Sequence, residues 1–451
     1  MRLLVALILS ICVPPVLAQN TDPVIKRFEH VAALIRDNRI VEAERQLAAI
    51  SRTTPNSPDA LNLLGTIRAK QNRLNEAESL FLQTLRIEEK FTPARMNLSY
   101  LYVLKRAPDK AIFQLKEILR VEPGNAEATQ KLPGLLLAQG LFDECISFVE
   151  KLRTAGPVSP DLLVTLGDAY VAKNALAEAE GPYLLALENR LDNAAALLGL
   201  AQISRLKGEM RETSIYLARV ATLSADSNSP EFLYKFALLA LRVGMIDQAK
   251  AALERSLKLR PDEPSYLLAL GVAWLSRGDL FEAEKLFRRL IEIQPNNSLG
   301  QLHLGYVLLN QKKYRDARLW LEKSARSPNA IPEVFYYLGL VAQEQNDDAG
   351  AIPLFEKAVQ KLPNYAHARI ALGSSYMKLK NYTRARAELE TAVKLDPNEP
   401  RAHYSLALLY ARLNDPVRAQ EQMKIVDSLK AKGGSADGVV VLPPPTSPSR
   451  P

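Results

Sequence analysis

Side chains that commonly carry metal-ion chemistry are few and scattered along this chain of 451 residues. The four histidines are His30, His303, His367 and His403. None has a second histidine four residues away, the spacing that places two zinc ligands on one helix face, and no His-Glu-x-x-His stretch occurs. We therefore predict no metal site and no bound cofactor.

Side chains that could act as nucleophiles or as acid–base pairs also lack the expected sequence context. The serines of Gly373-Ser374-Ser375 lack the second glycine of a hydrolase nucleophile turn. Glu282 and Glu284 flank Ala283 in a helical pattern, and we interpret them as solvated. Cys145 stands where alanine stands in the pattern described below, so we interpret it as a buried, unreactive thiol. The sequence thus predicts no catalytic residue and no enzyme.

The charge distribution argues against a nucleic-acid partner. The chain carries 58 Lys and Arg against 50 Asp and Glu, a formal net charge of +8. Basic and acidic residues are interleaved along the sequence, whereas a nucleic-acid groove requires clustered cations. Hydrophobic residues make up 47% of the chain, which is typical of an ordered protein.

Residues 1–18 have the pattern of a secretory signal peptide. Arg2 precedes an apolar stretch from Leu3 to Val13, and Val16-Leu17-Ala18 supplies the small residues of a cleavage site. The alternative, an uncleaved membrane anchor, is disfavoured because the apolar stretch is too short to span a bilayer comfortably. We therefore expect an exported protein, periplasmic or associated with the outer membrane, with no transmembrane span after cleavage. Cys145 is then the single remaining cysteine, so no internal disulfide can form.

The chain repeats itself every 34 residues. Gly271, Gly305, Gly339 and Gly373 are each 34 residues apart. A small residue keeps the same period, with a slip of two residues near Asn228-Ser229: Ala43, Ala77, Ala111, Cys145, Ala179, Thr213, Ala249, Ala283, Ala317, Ala351, Ala385 and Ala419. Asn or Gly recurs near the middle of most repeats: Asn38, Asn72, Gly140, Asn174, Gly208, Gly244, Gly278, Asn346 and Asn414. Proline recurs near the end: Pro55, Pro123, Pro157, Pro261, Pro295, Pro363 and Pro397.

Each repeat is therefore predicted to be a helix, a tight turn, a second helix and a proline stop. Asn and Gly enter the left-handed conformation that ends a helix, and proline lacks the amide hydrogen that a helix needs. Small residues such as Ala283 are expected where the two helices of a repeat approach most closely. Twelve repeats begin near Val24, Pro58, Thr92, Ala126, Pro160, Ala194, Pro230, Pro264, Ser298, Pro332, Ala366 and Pro400.

The slip in register divides the repeats into six over residues 24–227 and six over residues 230–432. Pro133 stands in the glycine position of the fourth repeat and is expected to kink or shorten its first helix. The polar last helix, from about Pro416 to Lys432, is expected to cap the array. Residues 433–451 have the composition of a disordered tail. Its stretch Val439–Leu442 could dock on the array, although a plain tail is favoured.

These repeats resemble the tetratricopeptide repeat family. One repeat carries Leu267, Leu270-Gly271, Trp274, Ala283, Phe287 and Pro295 at the family's offsets, and the resemblance covers about residues 24–432. It implies an all-α fold, an α-solenoid that winds as a right-handed superhelix of about twelve helix-turn-helix units. It also implies that the first helices line a concave groove and the second helices form the convex face.

In that family, positions 2, 5, 6, 9, 12 and 13 face the groove, counted from the first residue of each repeat. The resulting candidates for binding a partner are Leu302, His303, Tyr306, Tyr336, Tyr337, Leu340, Ile370, Met377 and Tyr404. Tyrosine combines a large contact area with a hydroxyl, which suits protein interfaces. Packing of any one tyrosine inside the array is the alternative. We expect that replacing Tyr306 and Tyr336 by alanine leaves the fold nearly intact and weakens partner binding.

The leading functional hypothesis is an exported, periplasmic scaffold that binds a protein or peptide partner in this groove. The alternative is a structural subunit of a cell-envelope complex for polysaccharide synthesis or export, with outer-membrane or polysaccharide-export components as partners. The repeat regions of cellulose and alginate exporters look similar to this chain. The carboxylate clamp of chaperone-binding relatives is missing, because no three consecutive repeats carry its set of lysine, asparagine and arginine.

Overall fold

The computed structural model describes residues 23–52, 56–223 and 229–431. Over these residues the chain forms 24 helices and no strands, and 81% of the residues are helical. This confirms the predicted all-α solenoid. The predicted signal peptide, the predicted tail, Pro55 and Asn228 lie outside the described residues.

The described helices form two compact units that divide between Lys207 and Gly208, and each unit is described separately. The first unit contains α1 (Pro23–Arg36), α2 (Ile40–Ser51), α3 (Pro58–Lys70), α4 (Leu74–Ile87), α5 (Thr92–Leu104), α6 (Pro108–Val121), α7 (Ala126–Ala138), α8 (Phe142–Ala155), α9 (Pro160–Ala172), α10 (Leu176–Asn189) and α11 (Ala194–Lys207). The second unit contains α12 (Met210–Leu223), α13 (Pro230–Arg242), α14 (Ile246–Leu259), α15 (Pro264–Ser276), α16 (Leu280–Ile293), α17 (Ser298–Asn310), α18 (Tyr314–Ala325), α19 (Pro332–Glu344), α20 (Asp348–Lys361), α21 (Ala366–Lys378), α22 (Tyr382–Leu395), α23 (Pro400–Arg412) and α24 (Pro416–Ala431).

The division between the units falls at Lys207 and Gly208, inside the predicted sixth repeat. The two helices of that repeat, α11 and α12, therefore belong to different units. The sequence slip near Asn228-Ser229 had placed the division one helix later. The slip thus marks a change in repeat length and not the boundary between the compact units.

The turn between the two helices of a repeat is left-handed in all twelve repeats. The nine Asn and Gly residues predicted to form it have positive φ, for example 61° at Asn38 and 79° at Gly278. The other three repeats place Arg106, Lys312 and Lys380 in the same conformation, with φ of 55°, 60° and 61°. The six described prolines of the end position each stand two residues beyond the last residue of a second helix. Both boundary predictions are confirmed for the described residues.

The recurring small residues lie where side-chain volume is least tolerated. Eleven of the twelve, from Ala43 to Ala385, are completely buried, and Ala419 in the terminal repeat is half-buried. The recurring glycines face a bulky side chain of the second helix. A Cβ atom built on Gly167 would lie 2.6 Å from Cζ of Tyr183, far inside van der Waals contact. A large aromatic ring or a leucine of the second helix therefore packs directly against each of these glycines.

Pro133 does not shorten its helix, which was one of the two expected outcomes. Helix α7 has 13 residues, the same length as α9, although Pro133 lies inside it. The proline is buried. Beside it an open cavity of about 720 Å³ lies between α6 and α8, floored by Leu132 and Leu136.

Cys145 is buried as predicted. Its thiol lies 3.5 Å from the carbonyl oxygen of Pro133, to which it donates a weak hydrogen bond. Burial, followed by the negative charge of Asp168, raises the pKa of Cys145 to about 11. The thiol is therefore protonated at neutral pH, which agrees with its interpretation as a structural residue.

In four of the repeats, a polar side chain at position 4 forms a hydrogen bond with the turn that precedes the repeat. Arg95, Gln301, Arg369 and His403 each reach the backbone carbonyl oxygen six residues earlier, at distances of 2.7 to 3.1 Å. Three of them also contact a side chain 19 residues later, on the second helix of the same repeat: Gln114, Glu388 and Gln422. One side chain thus donates a hydrogen bond to a backbone carbonyl oxygen that follows a helix end and has no partner within that helix. The same side chain links this preceding turn to the helix pair of its own repeat.

The last helix has the solvated surface of a cap. Val426 is its only buried residue, whereas the preceding second helix, α22, buries Ala385, Leu389 and Ala392. The capping role of the helix from about Pro416 to Lys432 stays a prediction, with which the low burial of α24 agrees.

Candidate partner-binding surface

Tyrosines of two successive first helices and of the turn before α21 form a continuous cluster in the second unit. The ring centroids of Tyr306 and Tyr337 are 4.9 Å apart, and those of Tyr336 and Tyr337 are 5.3 Å apart. Tyr365 extends the cluster, with its ring 5.3 Å from that of Tyr336. Sequence reasoning missed Tyr365 because it precedes the first residue of α21 and so falls outside the six family positions. An aromatic residue directly before a first helix is the signal that would have found it.

Three of the predicted contact residues belong to the interior. Leu302, His303 and Tyr337 expose 1%, 3% and 1% of their surface. They cannot offer area to a partner, which corrects their assignment to the binding surface. The physical reason is that the first helices of successive repeats contact one another directly, as α17 contacts α19 and α19 contacts α21.

His303 is a packing residue. Its ring stacks on Phe287 with centroids 5.1 Å apart and planes inclined by 14°. Burial lowers the pKa of His303 to about 4, and its Nδ1 has no hydrogen-bond partner among the described residues. The imidazole is therefore neutral at physiological pH, and its environment does not resemble that of a general base within reach of substrate.

Of the remaining candidates, four are buried and one is half-buried. Tyr306, Tyr336, Ile370 and Met377 are all buried, and Leu340 is half-buried. Burial raises the pKa of Tyr336 to about 12, so its hydroxyl remains neutral. Replacing Tyr306 and Tyr336 by alanine would remove two packed rings, at about 3–5 kcal/mol each by analogy with other buried aromatics. The expectation that this double substitution leaves the fold nearly intact therefore no longer holds.

Tyr404 is the exception, with 47% of its surface exposed. It occupies position 5 of the last repeat, where Leu302, Tyr336 and Ile370 are buried in the preceding repeats. Leu408, one turn later, is 39% exposed. Within the described residues no further helix pair follows α24, so Tyr404 lacks the neighbour that covers its counterparts in the preceding repeats. Tyr404, Leu408, Ala411 and Arg412 are all exposed, and we call them the terminal face.

A charged group borders this face one turn before Tyr404. The guanidinium of Arg401 donates from Nε to Glu399 Oε1 at 2.9 Å, and its Nη2 lies 3.5 Å from both ring nitrogens of His367. Burial alone would raise the pKa of Glu399, but hydrogen bonds from Arg401 and its charge hold that pKa below its usual value. Burial and the same guanidinium lower the pKa of His367. At neutral pH the group is thus an Arg401–Glu399 ion pair beside a neutral histidine.

Two other kinds of site were sought in the part of the chain that the structure describes. It contains no group of three or more His, Cys, Asp or Glu side chains placed to hold a metal ion. None of its helices combines the length and the apolar character needed to cross a bilayer.

The sequence matches family models described as tetratricopeptide repeat. One model matches residues 28–90, 234–298 and 302–366. A second matches residues 340–409. The matched ranges lie in both compact units and together make up more than half of the chain.

Three curated proteins show how far the similarity extends. "Protein O-mannosyl-transferase TMTC3" of Homo sapiens is 20% identical over 376 residues, which are 82% of this chain and 39% of that protein. "Cellulose synthase operon protein C" of Pseudomonas fluorescens is 22% identical over 412 residues, 85% of this chain and 32% of that protein. "TPR repeat-containing protein PA4299" of Pseudomonas aeruginosa is 32% identical over 179 residues, 39% of this chain and 69% of that protein.

The chain thus spans well under half of the length of the first two relatives, whose similarity is confined to part of each protein. The third relative combines higher identity with coverage of more than two thirds of its own length. Together with the matched family models and the twelve helix pairs, this similarity shows that the chain belongs to the tetratricopeptide repeat family.

Proposed function

We propose that this protein is an exported scaffold of the bacterial cell envelope that binds a protein partner through the terminal face of its second unit. Tetratricopeptide repeats form a protein-interaction fold. The observation that supports this location is the exposure of Tyr404, whose counterparts Leu302, Tyr336 and Ile370 are buried in the preceding repeats. The exposed Leu408 lies beside it.

The chemistry of the terminal face suits a protein segment with apolar and acidic side chains. Tyr404 and Leu408 supply apolar area, and Arg412 supplies a cation at the far end of the same helix. Tyrosine and arginine are enriched among residues that dominate binding energy. Because α23 packs on α21 and α24, the backbone that carries these side chains is held before a partner arrives, which lowers the entropic cost of binding.

Export is part of the proposal and rests on the signal-peptide pattern of residues 1–18. The test is cell fractionation of the native protein followed by N-terminal sequencing. We expect a periplasmic or membrane-associated chain that begins at Gln19. A chain found in the cytoplasm with Met1 retained would refute export without affecting the binding proposal.

The binding proposal is tested by the double substitution Tyr404→Ala with Leu408→Ala. Both side chains are exposed, so we expect the thermal unfolding of the variant to match that of the wild type within about 2 °C, as for surface substitutions in general. Quantitative mass spectrometry of proteins that co-purify from the envelope should show a partner reduced at least about tenfold, the effect of losing about 1.4 kcal/mol.

The matched control is Val417→Ala, which truncates an exposed apolar residue of the same repeat outside the terminal face. This control should retain the partner at the wild-type level. Equal retention by the double variant and the control would remove the terminal face from the binding function.

A second candidate function is supported by the similarity to "Cellulose synthase operon protein C" over 85% of this chain. In this case the protein is a structural subunit of a complex for polysaccharide synthesis or export. The two candidates differ in what should co-purify after mild solubilisation of the envelope. An outer-membrane channel or a polysaccharide synthase retained in constant ratio to this chain supports the subunit role, and its absence favours the general scaffold.

A further inference from the structure

The terminal face is an apolar surface without a neighbour in the described part of the chain, and the same protein carries a segment suited to cover it. Helix α24 ends at Ala431, and 20 residues follow. Most of them are Gly, Ser, Pro and Lys or Arg. The longest apolar run is Val439–Leu442, directly before Pro443-Pro444-Pro445. Asp437, the single acidic residue after Ala431, stands two residues before this run.

The geometry of the last repeat brings the start of this segment close to the terminal face. Helices α23 and α24 are joined by three residues and contact each other, so they run antiparallel. His403 of α23 lies opposite Gln422 of α24, with Nδ1 and Oε1 2.7 Å apart. Ala431 lies nine residues beyond Gln422, about 14 Å along the helix axis. The chain therefore leaves α24 about 9 Å beyond the first residue of α23, at the end of that helix that carries Tyr404.

The intervening residues are long enough to complete the path. Eight residues connect Ala431 to Val439, and an extended chain of that length reaches about 26–29 Å. Gly433 and Gly434 at its start permit a sharp change of direction. Leu408 lies one turn, about 6 Å, beyond Tyr404 on α23. Both residues of the terminal face are thus within reach of Val439–Leu442.

We propose that Val439–Leu442 binds the terminal face of its own chain and covers Tyr404 and Leu408. The apolar run supplies the contact that a following repeat would supply, and Asp437 approaches Arg401, the cation that borders the face. The segment is an intramolecular ligand, so an intrinsic affinity in the millimolar range suffices for it to occupy the face for much of the time. An external partner of the same surface must then displace it.

Disulfide trapping tests this contact in the purified full-length chain. Val440→Cys is combined with Leu408→Cys in one variant and with Val417→Cys in the control, both carrying Cys12→Ser. Val417 is exposed and lies about 21 Å from Ala431 along α24, also within reach of the segment. Native Cys145 can remain because it is buried and its thiol is protonated.

The expected result is an intramolecular disulfide between positions 408 and 440 that forms at least about tenfold faster than the control disulfide, because docking raises the local thiol concentration. The rate should not depend on protein concentration. Equal rates for the two pairs would overturn the proposal. A disulfide that forms between two chains, at a rate that rises with concentration, would show that a second copy covers the face instead.

Hydrogen exchange provides an independent measurement without introduced cysteines. We expect replacement of Val439–Leu442 by four serines to increase amide exchange in α23 at least about threefold, while exchange in α15 is unchanged. Unchanged exchange in α23 would contradict docking. Both experiments use the isolated protein, so failure to find an external partner leaves them interpretable, and their failure leaves the partner-binding proposal standing.

Discussion

The substitution Gly167→Ala examines the contact between a first-helix glycine and a bulky second-helix side chain, which recurs in six of the twelve repeats. Gly167 lies in the middle of α9 and faces Tyr183, which is 1% exposed. The new Cβ would meet Cζ, Cε1 and Cε2 of the ring at 2.6, 2.7 and 2.8 Å. The ring of Tyr183 cannot shift easily to make room, because Gly199 packs against it from another side. Its hydroxyl, moreover, donates a hydrogen bond of 2.5 Å to Asp168.

Two opposing effects determine the magnitude. Overpacking of a closed core costs about 1–3 kcal/mol. Alanine in place of glycine inside a helix contributes about 0.8–1 kcal/mol in the other direction. The unfolding free energy should therefore remain constant or fall by about 2 kcal/mol. The control Gly134→Ala, in the middle of α7, has no atom within 4 Å of the new Cβ, so the helix-propensity gain should be retained in full.

The assay is urea unfolding followed by circular dichroism, combined with hydrogen exchange resolved on α9, because repeat arrays do not always unfold in one step. Gly134→Ala should be more stable than Gly167→Ala by about 1–3 kcal/mol. A third variant, Gly167→Ala in a Tyr183→Val background, should recover the gain, since the ring that opposes the Cβ is gone. Equal stability of the first two variants would refute the claim that these glycines are required by the bulky side chains packed against them.

Three further predictions concern single side chains. His303 has a folded-state pKa of about 4 against about 6.5 when unfolded, so acidification protonates mainly the unfolded chain. Between pH 6.5 and 4 this costs on the order of 3 kcal/mol of stability, and His303→Leu should flatten that part of the urea-measured pH profile. Arg369→Met removes hydrogen bonds to a preceding turn and should cost about 1–3 kcal/mol in urea unfolding, against about 0.5 kcal/mol or less for the exposed Arg386→Met. Ala283→Leu overpacks a fully buried position and should lower the calorimetric melting temperature, and an unchanged melting temperature would contradict that placement.

Most of the backbone could be predicted from the 34-residue period, because the signals that end helices are local. The residue types of Asn38 and Gly278 predict a left-handed turn. Arg106, Lys312 and Lys380 adopt the same conformation without that signal. There the packed helices on both sides impose the turn, and the residue tolerates the strain. Register, and not residue type, identifies these three positions.

The candidate surface was less predictable, because exposure depends on how closely neighbouring first helices approach. Tyr337 and Tyr404 both lie at family contact positions, yet the first is buried between repeats and the second is exposed on the last described repeat. A pattern of positions within one repeat contains no information on the distance to the next. For the same reason the pattern could not show that His303 stacks on Phe287.

Photo-cross-linking in the native cell envelope tests most directly whether the terminal face is the surface that receives a partner. A photoreactive phenylalanine analogue is placed at position 404, at position 408 or at the exposed control position Phe281 in α16. We predict that positions 404 and 408 capture the same discrete protein and that position 281 does not. Capture of that protein with equal yield from position 281, or no capture from positions 404 and 408, would contradict the proposal.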